Sequence, residues 1–265
     1  MHKDKFHQLK ALILDMDGVL WRESEPIGDL PRIFERIESS GLDYMLATNN
    51  ATRTAQQYVQ KLAGFGAHVP VEKIVNSSIA VSYLLKQRFP AGGAVFIVGE
   101  MGLTEALQQA GFYHAETNCL AVIASMDRCI NFEKLKRATL LVRANVPFYA
   151  TNTDRTYPTP AGLIPGAGAL IGALEIATDV KPIVAGKPSE TLYKFALERL
   201  QTTPAETLVV GDRLETDILG AQVVGCPTAL VLSGIATRAE AEAYQPSVDI
   251  IIKDLDSLIT LLNDR

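Results

Sequence analysis

Short apolar runs alternate with stretches of helical periodicity along most of the 265-residue chain. Five runs have the length and continuous apolar character of strands buried on both faces, namely Ala11–Leu14, Tyr44–Ala47, Pro182–Ala185, Thr207–Val210 and Thr228–Leu232. Between these runs, apolar side chains recur at intervals of three and four residues, as in amphipathic helices. The alternation predicts an α/β fold, in which helices cover both faces of a Rossmann-like parallel sheet core.

One interval in this alternation is much longer than the others. Asn50 and Lys187 follow successive runs, yet far more chain separates them than one strand-helix unit needs. The interval holds three further strand-like runs, at 94–98, 120–124 and 147–151. We therefore predict an α/β cap domain at 80–182, inserted into a discontinuous core of 1–79 and 183–265.

Polar residues that can take part in chemistry follow four of the apolar runs. They are Asp15 after the first run, Thr48-Asn49-Asn50 after the second, Lys187 after the third and Asp212 after the fourth. Because ligands of open parallel sheets bind outside the carboxyl ends of the strands, we expect these residues to converge at one edge. A buried strand can end in any turn-forming residue, so structural needs alone do not account for the pattern.

The first group contains two carboxylates, Asp15 and Asp17, followed by Gly18. A carboxylate at this edge can bind a hard cation or attack phosphorus to form an acyl phosphate. A second carboxylate two residues later can protonate the leaving oxygen and then deprotonate the attacking water. An Asp-Gly pair is also typical of an ordinary turn.

The second and third groups offer donors for a phosphate. Thr48 and Asn49 supply a hydroxyl and an amide ahead of a helical segment, although such residues are also common helix caps. Lys187 offers a single cation that can offset charge on a transferring phosphoryl group. A Gly-x-x-x-x-Gly-Lys-Ser/Thr nucleotide loop is excluded, since Lys181 and Pro188 stand where Gly and Ser or Thr are needed.

Two more carboxylates, Asp212 and Asp217, follow the fourth run. Asp212 can ligate a metal directly, whereas Asp217 can bind the water shell of the metal or brace the loop. Mg²⁺ prefers few carboxylates and several waters, so this set favours Mg²⁺ over Ca²⁺ or Zn²⁺. Without a cation, this many acids at one edge would be destabilised by repulsion and desolvation.

Charge and composition limit the classes of molecule that this protein is expected to bind. The formal net charge is −5 and the basic residues are scattered, so the sequence lacks the basic footprint of a nucleic-acid groove. It has no apolar segment of the length of a signal peptide or membrane span, and its three cysteines lack metal-ligand spacing. We expect a cytoplasmic protein that binds a small phosphorylated metabolite, without nucleic-acid or membrane partners.

The four motifs, in this order and over nearly the whole chain, resemble those of the haloacid dehalogenase superfamily of phosphotransferases. Asp15-Met-Asp-Gly-Val-Leu-Trp21 is similar to the phosphatase form of the first motif, with the second aspartate that dehalogenases lack. Thr48-Asn-Asn, Ala150-Thr-Asn-Thr-Asp154 and Gly162-Leu-Ile-Pro-Gly-Ala-Gly168 resemble the branch of NagD-type and 4-nitrophenyl-phosphate phosphatases. Members of that branch carry an α/β cap between the second and third motifs. Ser125-Met-Asp127 departs from the Gly-x-Asp-Arg turn of many relatives, which leaves the cap contacts open.

The resemblance implies a role for each site residue. Asp15 is expected to be the nucleophile and Asp17 the general acid/base, with Lys187 beside the transferring group. The phosphate and substrate contacts that we expect are Thr48, Asn49, Asn50, Lys187, Asn152 and Asp154. The implied Mg²⁺ ligands are Asp15, Asp17 through its backbone carbonyl, and Asp212, with Asp217 in support.

Three aspects of the sequence are compatible with more than one interpretation. Asn152, Asp154, Arg155 and Tyr157 lie in a Pro-rich segment of the cap, where they can bind the non-phosphate part of the substrate or simply form turns. Trp21 either packs in the core or faces the substrate. Relatives often dimerise through the cap, so a homodimer of this kind is a further expectation.

The resulting hypothesis is Mg²⁺-dependent hydrolysis of small phosphomonoesters through an aspartyl phosphate on Asp15. A phosphotransferase or mutase with the same intermediate is one alternative, and a catalytically idle phospho-ligand-binding protein is another. The presence of Asp15, Asp17, Lys187 and Asp212 counts against the idle protein. Sugar phosphates, nucleoside monophosphates, phosphoglycolate and pyridoxal phosphate all stay open as substrates.

Overall fold

The computed structural model describes Phe6, residues 8–159 and residues 161–264, which form two compact units. The core unit consists of the described residues up to Thr48, Gln56–Val75 and the described residues from Lys187 onward. The insert unit consists of Asn49–Ala55 and Asn76–Gly186. The predicted domain boundaries at 80–182 stay a prediction.

The core unit is an α/β structure built around a six-stranded sheet. Its strands and helices are β1 (Ala11–Leu14), β2 (Trp21–Arg22), β3 (Glu25–Pro26), α1 (Leu30–Ser39), β4 (Asp43–Thr48), α2 (Ala55–Gly64), β5 (Ile74–Asn76), α7 (Glu190–Leu200), β13 (Thr207–Gly211), α8 (Leu219–Val224), β14 (Thr228–Val231), α9 (Arg238–Ala243), β15 (Ile250–Ile252) and α10 (Leu255–Asn263). The sheet has the order β15-β14-β13-β1-β4-β5. The parallel core with flanking helices confirms the predicted fold class.

The central strand β1 fixes the register of the two strands beside it. Leu14 is the parallel partner of both Val210 on β13 and Leu46 on β4. All four residues of β1 and all five of β13 are buried, as expected for strands that are covered on both faces. Because the three strands run in the same direction and in register, the residues that follow their carboxyl ends emerge at one edge.

The insert unit is built around a second parallel sheet. Its strands and helices are α3 (Ser77–Arg88), β6 (Gly93–Val98), α4 (Met101–Gln109), β7 (Phe112–His114), β8 (Val122–Ala124), α5 (Phe132–Arg143), β9 (Phe148–Ala150), β10 (Thr156–Thr159), β11 (Gly162–Pro165), α6 (Ala167–Thr178) and β12 (Ile183–Val184). The order of the sheet is β12-β9-β8-β6-β7, and β10 and β11 form a separate antiparallel hairpin. The apolar faces of α5 and α6 contribute Leu141, Val142, Ile171 and Leu174 to its hydrophobic core.

One sequence prediction about strand pairing is wrong. The sequence predicts that the run Pro182–Ala185 joins the core sheet, but β12 pairs in parallel with β9, with Ile183 opposite Tyr149. A run of two strand residues carries no information about which sheet edge it will join, because both sheets offer parallel apolar neighbours. Lys187 therefore follows a strand of the insert unit and not a strand of the core sheet.

Within the described part of the chain, no helix is both long enough and apolar enough to span the hydrocarbon region of a lipid bilayer.

Candidate active site

Asp15 is the first residue after β1, and its position is fixed by the sheet. Its backbone N–H donates to Val210 O at 2.8 Å, and only 8% of the residue is exposed. The chain then turns sharply at Gly18, which has a φ of +86° that favours glycine. The N–H of Gly18 donates to Trp21 O at 2.7 Å and closes the loop. Asp17, in the middle of this loop, is exposed.

Asp212 directly follows β13 and is held by backbone groups. Its Oδ2 accepts a hydrogen bond from the N–H of Ile235 at 2.8 Å. Its Oδ1 is buried and has no hydrogen-bond partner among the described residues. A Cβ atom at Gly18 or Gly234 would overlap this carboxylate, so both positions need glycine if Asp212 is to keep its place.

Asp217 lies in the π-helical turn Leu214–Ile218 that follows. Its Oδ2 accepts hydrogen bonds from the N–H groups of Asp212 at 3.3 Å and Arg213 at 3.1 Å. The hydroxyl of Tyr193 donates to its backbone carbonyl at 3.1 Å. A Cβ at Gly211 would overlap Asp217, so the close approach of the turn to β13 also depends on a glycine. These contacts fold the loop back onto the end of the strand.

Lys187 joins the carboxylates of the core unit. Its ammonium group donates to Asp15 Oδ1 at 2.5 Å, to Asp217 Oδ1 at 2.6 Å and to Ala47 O at 3.1 Å. Only 4% of its side chain is exposed. The structure therefore brings together Asp15, Lys187, Asp212 and Asp217, and Thr48 ends the strand β4 that pairs with β1.

Burial dominates the electrostatics of this cluster. It raises the pKa of Asp15 well above its ordinary value; Lys187 opposes this rise, whereas Asp217 and Asp212 add to it. Burial, followed by the charge of Asp217, raises the pKa of Asp212 from 3.8 to about 6. Burial alone would lower the pKa of Lys187, but the charges of Asp15 and Asp217 outweigh it and raise that pKa well above 10.5. Further positive charge would therefore stabilise the ionised carboxylates.

The donor set fits a hard divalent cation. One carboxylate oxygen from each of Asp15, Asp212 and Asp217 lies within 4.8 Å of the others. Asp212 Oδ1 is the buried acceptor without a partner, whereas both oxygens of Asp217 already accept hydrogen bonds. Asp15 and Asp212 are therefore better placed as direct ligands than Asp217, which braces Lys187 and the loop. The side chain of Asp17 is not part of the cluster.

The remaining predicted site residues lie in the insert unit and contact one another. Asn49 O accepts hydrogen bonds from Ser77 Oγ at 2.5 Å and from Asn152 Nδ2 at 2.8 Å. Asn49 Nδ2 donates to Asp154 Oδ1 at 3.3 Å. A cavity of about 40 Å³ is lined by residues that include Asn49, Asn50, Met126, Asn152, Asp154 and Tyr157. Asn152 uses its amide within the unit, since its Oδ1 also accepts from the N–H of Asp154 at 3.1 Å.

Some residues of the site were not found from the sequence. The hydroxyl of Tyr193 binds the backbone carbonyl of Asp217. The sequence does not indicate this role, because Tyr193 lies on the apolar face of α7 and has the pattern of an ordinary core residue. Gly234 likewise stands in an ordinary loop sequence, and its contact with Asp212 depends on tertiary structure. Of the two interpretations of Trp21, the structure supports core packing: the residue is fully buried and donates from Nε1 to Asp17 Oδ1 at 2.7 Å.

Comparison with known proteins agrees with this arrangement. Family models described as haloacid dehalogenase-like hydrolase and HAD-hydrolase-like match residues 12–113 and 184–258. The dihydroxyacetone phosphatase of Corynebacterium glutamicum (strain R) is 32% identical over 254 residues, which cover 96% of this chain and 92% of the relative.

Two solved structures are similar over nearly the whole chain. The p-nitrophenyl phosphatase from Archaeoglobus fulgidus has a TM-score of 0.90 and 30% identity, covering 96% of this chain and 99% of its own. The glycerol phosphate phosphatase from Mycobacterium tuberculosis, in complex with magnesium, has a TM-score of 0.89 and 32% identity, covering 95% of this chain and 77% of its own. The chain therefore belongs to the haloacid dehalogenase-like hydrolases and is a phosphatase of the NagD and 4-nitrophenyl-phosphatase-like branch.

Proposed function

We propose that this phosphatase hydrolyses small phosphomonoesters through an aspartyl phosphate on Asp15, with Mg²⁺ as its cofactor. The observation that carries the proposal is the buried cluster of Asp15, Asp212 and Asp217, in which the ammonium group of Lys187 binds Asp15 and Asp217. Such a cluster is stable in its ionised form only if further positive charge is present.

Asp15 and Asp212 would hold the metal ion, together with the backbone carbonyl of Asp17. Mg²⁺ at this position would supply positive charge that draws the phosphoryl oxygens towards Asp15. Carboxylate oxygens and water are the ligands that Mg²⁺ prefers. Asp217 supports the site by orienting Lys187 and by accepting hydrogen bonds from the N–H groups of Asp212 and Arg213.

Asp15 carries out the first chemical step. One of its carboxylate oxygens attacks phosphorus and forms a new P–O bond, while the bond from phosphorus to the alcohol oxygen breaks. Asp17, protonated at this stage, gives its proton to the departing oxygen. Lys187 offsets the negative charge on Asp15 and on the phosphoryl group, and Thr48 donates to that group from the end of β4.

Water completes the reaction. It attacks the phosphorus of the aspartyl phosphate and gives a proton to Asp17, the bond to Asp15 breaks, and inorganic phosphate leaves. Asp17 is protonated again and ready for the next substrate. The exposure of Asp17 suits this exchange of protons with substrate and water.

The proposed substrates are small phosphorylated metabolites. Dihydroxyacetone phosphate, glycerol phosphate and 4-nitrophenyl phosphate are the first compounds to test, because the names of the three relatives above refer to them. The substrate contacts expected for Asn49, Asn50, Asn152 and Asp154 stay predictions, as do the cytoplasmic location and the homodimer.

Phosphate release from this set, with Mg²⁺ and with EDTA, tests the proposal. We expect release that requires Mg²⁺ and that is abolished in Asp15→Asn, while Asp179→Asn, a change at an exposed helix end, keeps it. Brief incubation of the enzyme with ³²P-labelled substrate, followed by acid quench, should leave a hydroxylamine-labile phosphate on wild type. A folded wild-type protein that releases phosphate equally well in EDTA, or never carries such a phosphate, would overturn it. Phosphate that appears on an added alcohol in preference to water would indicate a phosphotransferase.

A further inference from the structure

Trp21 makes a direct contact with the side chain of Asp17. Its indole Nε1–H donates to Asp17 Oδ1 at 2.7 Å, at the short end of the range for N–H···O hydrogen bonds in proteins. The two residues differ in environment, since Trp21 is fully buried and Asp17 is exposed. An exposed carboxylate is thus tied at one oxygen to a rigid buried group.

The indole ring is held on several sides within the core unit. It stacks on Tyr58 of α2 with ring centroids 6.4 Å apart and an interplanar angle of 15°. Phe65 packs against it with centroids 6.0 Å apart, and the ammonium group of Lys61 lies 4.0 Å from the ring centroid. Packing of this kind leaves the ring little freedom to rotate, so the direction of the N–H is fixed.

The backbone adds a second link between the two residues. The N–H of Gly18 donates to Trp21 O at 2.7 Å, and Asp17 forms an isolated bridge with Trp21. Trp21 in turn begins the hairpin of β2 and β3, in which it is the partner of Pro26. The loop that carries Asp17 is therefore closed at its base by the same residue that binds its side chain.

An N–H donor restricts which carboxylate oxygen can carry a proton. Oδ1 accepts the hydrogen bond from Trp21, and in a protonated carboxyl group the carbonyl oxygen is a better acceptor than the hydroxyl oxygen. The proton that is exchanged with substrate and water is therefore expected on Oδ2. Fixing Oδ1 also fixes the plane of the carboxyl group and hence the direction in which Oδ2 points.

We propose that Trp21 is a positioning residue for the phosphatase reaction: its indole N–H orients Asp17 so that Oδ2 delivers the proton to the leaving oxygen. This inference rests on the proposed role of Asp17 as the general acid. A residue that only packs in the core would affect folding and all substrates alike. A residue that orients the acid affects most those substrates whose leaving group needs the proton.

The composition of the chain allows a sharp test. Trp21 is the single tryptophan among the 265 residues, so growth of a tryptophan auxotroph on benzothienylalanine changes this position alone. That analogue replaces the indole N–H by sulfur and keeps the bicyclic ring, so packing is nearly preserved. Trp21→Phe is the second variant, and Phe65→Leu is the control that disturbs the same aromatic cluster without touching the N–H.

The measurement is kcat/KM for glycerol phosphate and for 4-nitrophenyl phosphate. This ratio reports the steps up to formation of the aspartyl phosphate, in which the leaving group departs. An alkoxide needs the proton from Asp17, whereas 4-nitrophenolate leaves with little help. We expect both Trp21 variants to lose roughly tenfold to a hundredfold on glycerol phosphate and much less on 4-nitrophenyl phosphate. Phe65→Leu should lower both values by a similar, small factor.

Asp17→Asn separates failure of this inference from failure of the proposed function. If Asp17→Asn lowers kcat/KM much more for glycerol phosphate than for 4-nitrophenyl phosphate while the benzothienylalanine protein lowers both equally, Trp21 does not position the acid. If Asp17→Asn also lowers kcat/KM equally for both substrates, Asp17 is not the general acid, and the proposed mechanism fails together with this inference. A folded benzothienylalanine protein with the selective loss on glycerol phosphate supports the assignment.

Discussion

The ammonium group of Lys187 lies 2.6 Å from Asp217 Oδ1 and 2.5 Å from Asp15 Oδ1, so one buried cation links the proposed nucleophile to the loop after β13. Asp217 is itself held by the N–H groups of Asp212 and Arg213. The position of Lys187 therefore depends on the fold of that loop as well as on Asp15. A substitution at any of these residues should therefore alter the positions of the others, and the effects of two such substitutions on stability should not be additive.

Removal of the cation should destabilise the protein. Lys187→Met leaves the buried carboxylates of Asp15 and Asp217 without this partner, so we expect the free energy of unfolding in EDTA to fall by about 3–5 kcal/mol. Urea denaturation measures this change. The matched control is Lys194→Met, because Lys194 pairs with Glu190 at the surface and should change the stability by less than about 0.5 kcal/mol. Equal stabilities of Lys187→Met and wild type would show that the buried pair contributes nothing.

A methyl group at Gly234 should disturb the metal site. Its Cβ would overlap the carboxylate of Asp212, so Gly234→Ala should displace that ligand. We expect the Mg²⁺ concentration for half-maximal phosphate release to rise roughly tenfold, which corresponds to about 1.4 kcal/mol of lost binding energy. Gly64→Ala is the control, since a Cβ there meets no atom within 4 Å. An unchanged Mg²⁺ requirement in Gly234→Ala would argue against Asp212 as a ligand.

The metal-free protein should lose stability as the pH rises through the acid range. The pKa of Asp212 is raised from 3.8 to about 6, so the folded state binds the proton more tightly than the unfolded state does. Its contribution is therefore fully present below pH about 4 and is lost between pH about 4 and about 6. The expected loss from this group is about 3 kcal/mol.

Denaturation in EDTA across this pH range, compared between wild type and Asp212→Asn, isolates the effect. As the pH rises, the free energy of unfolding of wild type should fall relative to that of Asp212→Asn. Saturating Mg²⁺ at pH 7 should restore the stability of wild type, because a cation replaces the proton. A difference that is constant across the pH range would contradict the burial argument.

The cysteines should differ in reactivity. Burial raises the pKa of the Cys226 thiol to about 12, so roughly one molecule in ten thousand carries the thiolate there at pH 8. Cys129 is exposed. We expect a thiol-reactive dye to label Cys129 rapidly in the native protein and Cys226 only after unfolding, as read by mass spectrometry of peptides. Cys129→Ser should remove the rapid phase, and rapid labelling of Cys226 in that variant would contradict its burial.

Local sequence pattern was sufficient for the strands that carry the site. The continuous apolar run at 11–14 and the run at 207–210 correspond to β1 and β13, because fully buried parallel strands need apolar residues on both faces. Asp15 and Asp212 could then be placed at the same edge, since parallel strands deliver their following residues to one side of the sheet. The order of the four motifs also indicates the family without reference to any tertiary contact.

Strand pairing and side-chain contacts could not be predicted from the sequence. The run before Lys187 has the composition of a core strand, but β12 joins β9 instead, because strand pairing is a choice between distant partners. The sequence pattern does not predict the short strands β7, β10 and β11, because none of them is a continuous apolar run.

The amino-acid pattern is sufficient to predict the class of fold, the order of the motifs and the residue types available for chemistry. The contacts within the site follow only from packing: Lys187 reaches both Asp15 and Asp217, Asp212 keeps one oxygen without a partner among the described residues, and the N–H of Trp21 binds Asp17. This difference arises because periodicity reflects burial, which each segment expresses locally. Hydrogen bonds and ion pairs depend instead on distances between segments far apart in the chain, which are set when the strands and helices pack.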